Sequence, residues 1–76
     1  MQNIQTYIAI ILDASGKEID FERFSCKRVQ TVQNNMIKLF NNSLYRALNK
    51  EADKIAIYAT PDGYTQEATP AMVFSI

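Results

Sequence analysis

The sequence contains no histidine. That removes the commonest general base and the commonest metal ligand. A single cysteine, Cys26, excludes an internal disulfide. The 76 residues must therefore be held together by a core alone. A domain of this size buries only about 60% of its unfolded surface, so little stability is spare. An unpaired thiol suits a reducing compartment, and a cytoplasmic location is expected. Charge of one sign is also missing, because eight Lys and Arg balance eight Asp and Glu. The chain thus lacks the field of a general nucleic-acid binder or of a basic membrane-surface helix. Long apolar runs are absent too. The longest near the N-terminus, Tyr7 to Leu12, is too short to span a membrane, and no basic segment of a signal peptide precedes it. No membrane partner is expected. Asn41-Asn42-Ser43 matches a glycosylation sequon, which without a secretion signal reads as coincidence.

These gaps leave little chemistry. Cys26 stands beside Lys27 and Arg28, but with no histidine to act as its base it reads as structural. Asp13 and Asp62 both follow apolar strands and could share a magnesium ion. Turn formation explains both positions more economically. The expectation is a chain with no catalytic residue, no metal and no cofactor.

The strongest positive signal runs from Lys27 to Lys50. On a wheel of 100° per residue, Val29, Val32, Met36, Leu39, Phe40, Leu44, Ala47 and Leu48 fall within about half the circle, with Ile37 among them. The other half carries Thr31, Asn34, Asn35, Lys38, Asn41, Asn42, Arg46 and Asn49. No Gly or Pro interrupts the stretch. The spacing predicts one amphipathic helix, with Ser25 or Thr31 as its N-cap. An isolated helix of this kind is marginal in water and needs its apolar face covered.

The flanking segments supply the cover. Thr6 to Leu12 is rich in β-branched and aromatic residues and apolar on both sides, as a central strand is. Asp13-Ala14-Ser15-Gly16-Lys17 predicts a hairpin turn. Glu18 to Phe24 returns as a second strand, with Ile19 and Phe21 on one side and Asp20 and Glu22 on the other. Phe24 breaks that alternation, which predicts a bulge near Arg23 or a chain already turning toward the helix. Lys54 to Thr60 reads as a third strand, and Pro61-Asp62-Gly63 as a turn. Tyr64 to Thr69 is expected to start a fourth strand, Pro70 lies at an edge, a bulge or a break, and Ala71 to Ile76 ends the chain. The whole is one α+β domain over residues 1–76. Its order is ββαββ, with one helix packed on one face of a four-stranded, mainly antiparallel sheet. A spatial strand order of 2-1-3-4 places the two most apolar strands in the middle.

One helix covers one sheet face. With Ile8, Ile10, Leu12, Ile55, Ile57, Met72 and Phe74 assigned to the helix side, Tyr7, Ala9, Ile11, Ala56, Tyr58, Ala71 and Val73 form an uncovered apolar face. Such a patch marks an interface, and tyrosine is favoured there. The expected partner is a second copy of the chain or another protein. A second candidate surface is the polar helix face of Asn34, Asn35, Lys38, Asn41 and Asn42, whose amides and ammonium offer recognition groups. The function this implies is a small non-catalytic interaction module. An inhibitor or adaptor from a mobile element is compatible with the small size and the open sheet face. The alternative is a nucleic-acid module using Arg23, Lys27 and Arg28 with neighbouring aromatics, which the zero net charge counts against.

Overall fold

A strand apolar at every position from Tyr7 to Ile11 suits the middle of a sheet, between two other strands. The fold places it there. In the computed structural model, which describes residues 4–59 and 69–76, that segment is the inner part of β1 (Gln5–Leu12). The other elements are β2 (Glu18–Cys26), α1 (Val29–Phe40), α2 (Ser43–Leu48), β3 (Lys54–Ala59) and β4 (Met72–Ser75). The strands form one antiparallel sheet in the order β2-β1-β3-β4, with the helices packed on it. This is the α+β arrangement and the strand order that the sequence predicts. Among the described residues the fourth strand runs Met72–Ser75, after Pro70. The expected turn at Pro61–Gly63 lies outside the described residues, as do positions 64–68 of the expected strand start.

The hairpin turn owes its shape to Asp13. Its Oδ1 accepts from the Ser15 backbone N–H at 3.0 Å, the Ser15 hydroxyl at 2.7 Å and the Lys17 N–H at 2.9 Å. Gly16 takes φ +87°, a conformation open to glycine at little cost. The ladder carries its irregularity at the same end, between Ile11 and Leu12. Ile11 pairs with Asp20 and Leu12 with Glu18, so Ile19 is the extra residue. The bulge is therefore at Ile19 and not near Arg23, and β2 continues unbroken to Cys26. Phe24 follows from unbroken alternation after Asp20. It sits opposite Tyr7 and packs against the core, on the same side as Asp20 and Glu22.

The core lies between α1 and the sheet. Ile11, Val32, Met36, Ile55 and Ile57 are fully buried there, joined by Tyr7, Ala9 and Phe40. Each large side chain of this set contributes roughly 1.5–3 kcal/mol by leaving water. This set corrects the face assigned to β1. Tyr7, Ala9 and Ile11 face α1, whereas Ile8, Ile10 and Leu12 share the opposite face with Tyr58, Ala56 and Lys54. Directly opposed residues of an antiparallel pair project to the same side, so the register with β3 decides the face. A strand apolar on both sides carries no alternation from which that register can be read. Ala9 at the centre also has a steric effect, because its small side chain leaves room for the helix.

The helical segment differs from its expected form at both ends and in the middle. Neither Ser25 nor Thr31 caps it. Ser25 belongs to β2, and the N-cap is Arg28, extended at φ −136° and ψ 143°, without a side-chain hydrogen bond. The helix is not continuous to Lys50. Asn41 ends α1, and Asn42 turns extended at φ −81° and ψ 124°. Asn42 Oδ1 then accepts from the Tyr45 N–H at 3.1 Å and starts α2. The asparagine pair is a break with a cap inside it, for which Asn is well suited.

Candidate functional site

The break at Asn41-Asn42 creates the most open apolar surface of the described residues. In a continuous helix, Leu44 and Leu48 would follow Met36 and Phe40 onto the sheet. The turn rotates α2 away from that line. Leu44 is 68% exposed and Leu48 75% exposed. Only Tyr45 of α2 reaches inward, with its ring edge-on to Phe40 at 5.0 Å and 86°. The Tyr45 hydroxyl donates to Glu22 Oε2 at 3.0 Å. Burial, and then that hydrogen bond, raise the phenol far above its ordinary value. At the far end Asn49 is buried, and its Nδ2 donates to the Tyr45 carbonyl at 3.2 Å.

Between α1 and α2 lies a cleft of about 590 Å³. Phe24, Leu39, Leu44, Tyr45 and Leu48 make its apolar lining, and Asn35, Lys38 and Asn42 its polar border. A smaller cleft of about 320 Å³ lies on the other flank of α1, over Met36, Phe40, Ile55 and Phe74. Ile37, placed by the wheel in the apolar arc, is about half exposed beside it. Gln33 also borders this second cleft and accepts from Gln30 Nε2 at 2.6 Å.

The opposite sheet face is the second apolar surface. Ile8, Ile10 and Ala56 are buried at its centre. Around them stand Phe21, 48% exposed, Val73, 51% exposed, and the half-buried Tyr58. No described helix or strand lies over this face. Of the expected interface residues, Ala56, Tyr58 and Val73 are on it. Ala71 precedes β4 and is exposed. Tyr7, Ala9 and Ile11 are not on it, because they are buried under α1.

The polar helix residues are only partly a surface. Asn34, Lys38 and Asn41 are exposed, and Asn35 is half-buried. Asn42 has its side-chain oxygen committed to the α2 cap. The proposed nucleic-acid set is divided between the two sides of the sheet. Arg23 pairs with Ile8 and Phe21 with Ile10 on the face away from α1, whereas Phe24 packs into the core on the other. Arg28 is the α1 N-cap. Cys26 Sγ donates to the Arg28 carbonyl at 3.2 Å, across the two-residue link into α1. Among the described residues no cluster of three or more His, Cys, Asp or Glu could hold a metal ion. No described helix is long and apolar enough to cross a membrane.

One electrostatic feature escaped the reading of the sequence. Lys27, Arg28, Lys38, Arg46 and Lys50 all lie between positions 27 and 50, and no Asp or Glu does. All eight carboxylates belong to the rest of the chain. The zero net charge is a cancellation between a cationic segment, 27–50, and an acidic remainder of the chain. The charge counted by segment, as opposed to over the whole chain, would have shown it.

No protein-family model matches the chain, and comparison with curated proteins and with solved structures gives no match.

Proposed function

We propose that the chain is a small protein-interaction module, without catalysis, that self-associates through the sheet face over which no described helix or strand lies. The observation that carries this reading is the exposure of Phe21 and Val73 on either side of Tyr58, on a face that no described element covers. Large aromatic side chains left half in water are the anchors on which interfaces concentrate their energy. A face-to-face pairing of two such sheets, about 10 Å apart, would bury them. The surface is isologous by construction, since a two-fold axis brings the same residues together from both copies. Glu18 and Arg23 lie toward opposite ends of β2, so an antiparallel arrangement of the two copies offers them to each other. Dimers of this type suit an adaptor or inhibitor that presents its helical layer outward, in the cytoplasm.

Sedimentation of the wild type beside Phe21→Glu and Tyr58→Glu tests the reading. Each variant places a carboxylate in the proposed interface and should weaken self-association at least tenfold. Leu48→Ser, on the other side of the molecule, should leave it unchanged. Equal association constants for all four proteins would reject the sheet face as the interface.

A further inference from the structure

We infer that the outer edge of β2 pairs antiparallel with the same edge of a second copy, in one register. The inference goes beyond the sheet-face reading. It uses a different surface and joins the molecules of that reading side by side.

β2 has nine residues, lies at the border of the sheet and is paired with β1 alone among the described strands. Two hydrogen bonds show which of its main-chain groups point outward. The Leu12 carbonyl accepts from the Asp53 N–H at 2.7 Å and so points toward β3. Alternation turns the groups of Ile10 and Ile8 the same way. Phe21 and Arg23, opposite them, therefore aim theirs away from β1. The Phe21 N–H agrees, because it donates to Asp20 Oδ1 at 2.8 Å and not across the ladder. The outward groups are those of Phe21, Arg23 and Ser25. Arg23 and Ser25 are exposed and offer a donor and an acceptor each. Such an edge is a template for another strand.

Register selects the occupant. About a two-fold axis, outward residues of one copy meet outward residues of the other. Phe21 on Phe21 sets Asp20 against Glu22. Phe21 on Arg23 sets Glu22 against Glu22. Arg23 on Arg23 opposes two guanidinium groups, and Ser25 on Ser25 sets Arg23 against Lys27. Like charges directly opposite are destabilising. Arg23 on Ser25 opposes none. It places Phe24 beside Phe24 on the axis, Glu22 beside Cys26, and Asp20 toward Arg28. It uses the N–H groups of Arg23 and Ser25. Phe21 then lies past the end of the other strand, and its N–H is the one Asp20 already engages.

The cleft between α1 and α2 opens over the same edge. Phe24 lines it, with Leu44 and Leu48. A two-fold axis perpendicular to the sheet keeps both helical layers on one side and turns the two clefts toward each other. Leu44 and Leu48, the most exposed large apolar side chains described, then leave water together. The strand contact spans only Glu22 to Cys26, so the interface falls below the roughly 1,200 Å² of a standard one. It joins molecules at about 0.1–1 mM, above the micromolar range of the sheet face.

The test is a cross-link in a Tyr58→Glu background, which lies on β3 and removes the proposed sheet-face pairing. Glu22→Cys is oxidised with copper phenanthroline at about 1 mM protein. Opposed residues of a non-hydrogen-bonded pair lie about 4.5 Å apart at Cα, within disulfide reach. The expected product is a covalent dimer whose disulfide joins position 22 of one copy to Cys26 of the other, mapped by mass spectrometry of the unreduced digest. Ser25→Pro removes an outward N–H that β1 does not use, at an edge position that tolerates proline. It should lower the yield at least tenfold, and Leu48→Ser at least threefold, with amide spectra verifying the fold of each variant. No covalent dimer, disulfides between like positions, or a yield unchanged by Ser25→Pro overturns the inference. Micromolar association of Tyr58→Glu equal to wild type would reject the sheet face instead, and the position of the disulfide would still decide the edge.

Discussion

The hydroxyl of Tyr45 donates a 3.0 Å hydrogen bond to Glu22 Oε2 and so ties α2 to the edge strand β2. Tyr45 is the only residue of α2 that packs against the core. A six-residue helix has no stability of its own. This one is held by one aromatic ring, one hydroxyl and an asparagine at each end.

Tyr45→Phe keeps the ring and removes the hydroxyl. The expected loss is about 0.5–1.5 kcal/mol, as for a typical intramolecular hydrogen bond. Urea unfolding at neutral pH measures it. The same variant changes the alkaline limb. The folded state holds the Tyr45 phenol protonated well above its ordinary value of 10.0. Its contribution is fully present below pH 10 and is lost as pH rises toward the folded value. Between pH 10 and 12 the wild type should therefore lose stability faster than Tyr45→Phe.

Asn42→Ala removes the acceptor that caps α2. A cost of about 1 kcal/mol is expected, with faster amide exchange confined to residues 43–48. Asn34→Ala, on the exposed side of α1, should be neutral or slightly stabilising because alanine is the better helix former. Equal effects at the two positions would show that the break needs no cap.

Asp13→Ala deletes an acceptor of three hydrogen bonds in the β1–β2 turn. Those bonds, the Ser15 hydroxyl foremost, hold the Asp13 carboxyl below its ordinary value of 3.8. A lowered value means stability that is present above about pH 4 and lost as pH falls through the folded value. The melting temperature of Asp13→Ala should thus be below wild type at pH 7. The gap should narrow as the pH falls below 4.

Ala9→Leu tests which face of β1 lies under α1. Ala9 is fully buried between the helix and the sheet. Three added carbons there should cost about 1–3 kcal/mol or more by overpacking, a serious loss for so small a domain. If Ala9 faced away from the helix, the substitution would be close to neutral in thermal unfolding.

Much of the fold is legible because several signals agree. The Asp13–Lys17 turn, the apolar β1 and β3 and the amphipathic segment between them leave few arrangements, and β2-β1-β3-β4 is one of them. The face of β1 was not legible. Ile8, Ile10 and Leu12 are as apolar as Tyr7, Ala9 and Ile11, and only pairing with β3 separates the two sets. The cleft was hidden for a different reason. A helical wheel assumes an unbroken helix, so it sends Leu44 and Leu48 to the core. The Asn41-Asn42 pair gives the local cue for a break, since asparagine hydrogen-bonds its own backbone in competition with the helix. Read that way, residues 43–48 become a separate element whose leucines need another partner.

The solution mass of the wild type by light scattering, across micromolar concentrations, tests the central claim most directly. The account predicts a mass approaching twice the chain's 8.7 kDa, falling toward the single-chain value on dilution and in Phe21→Glu. A single-chain mass at every concentration would contradict self-association through the sheet face.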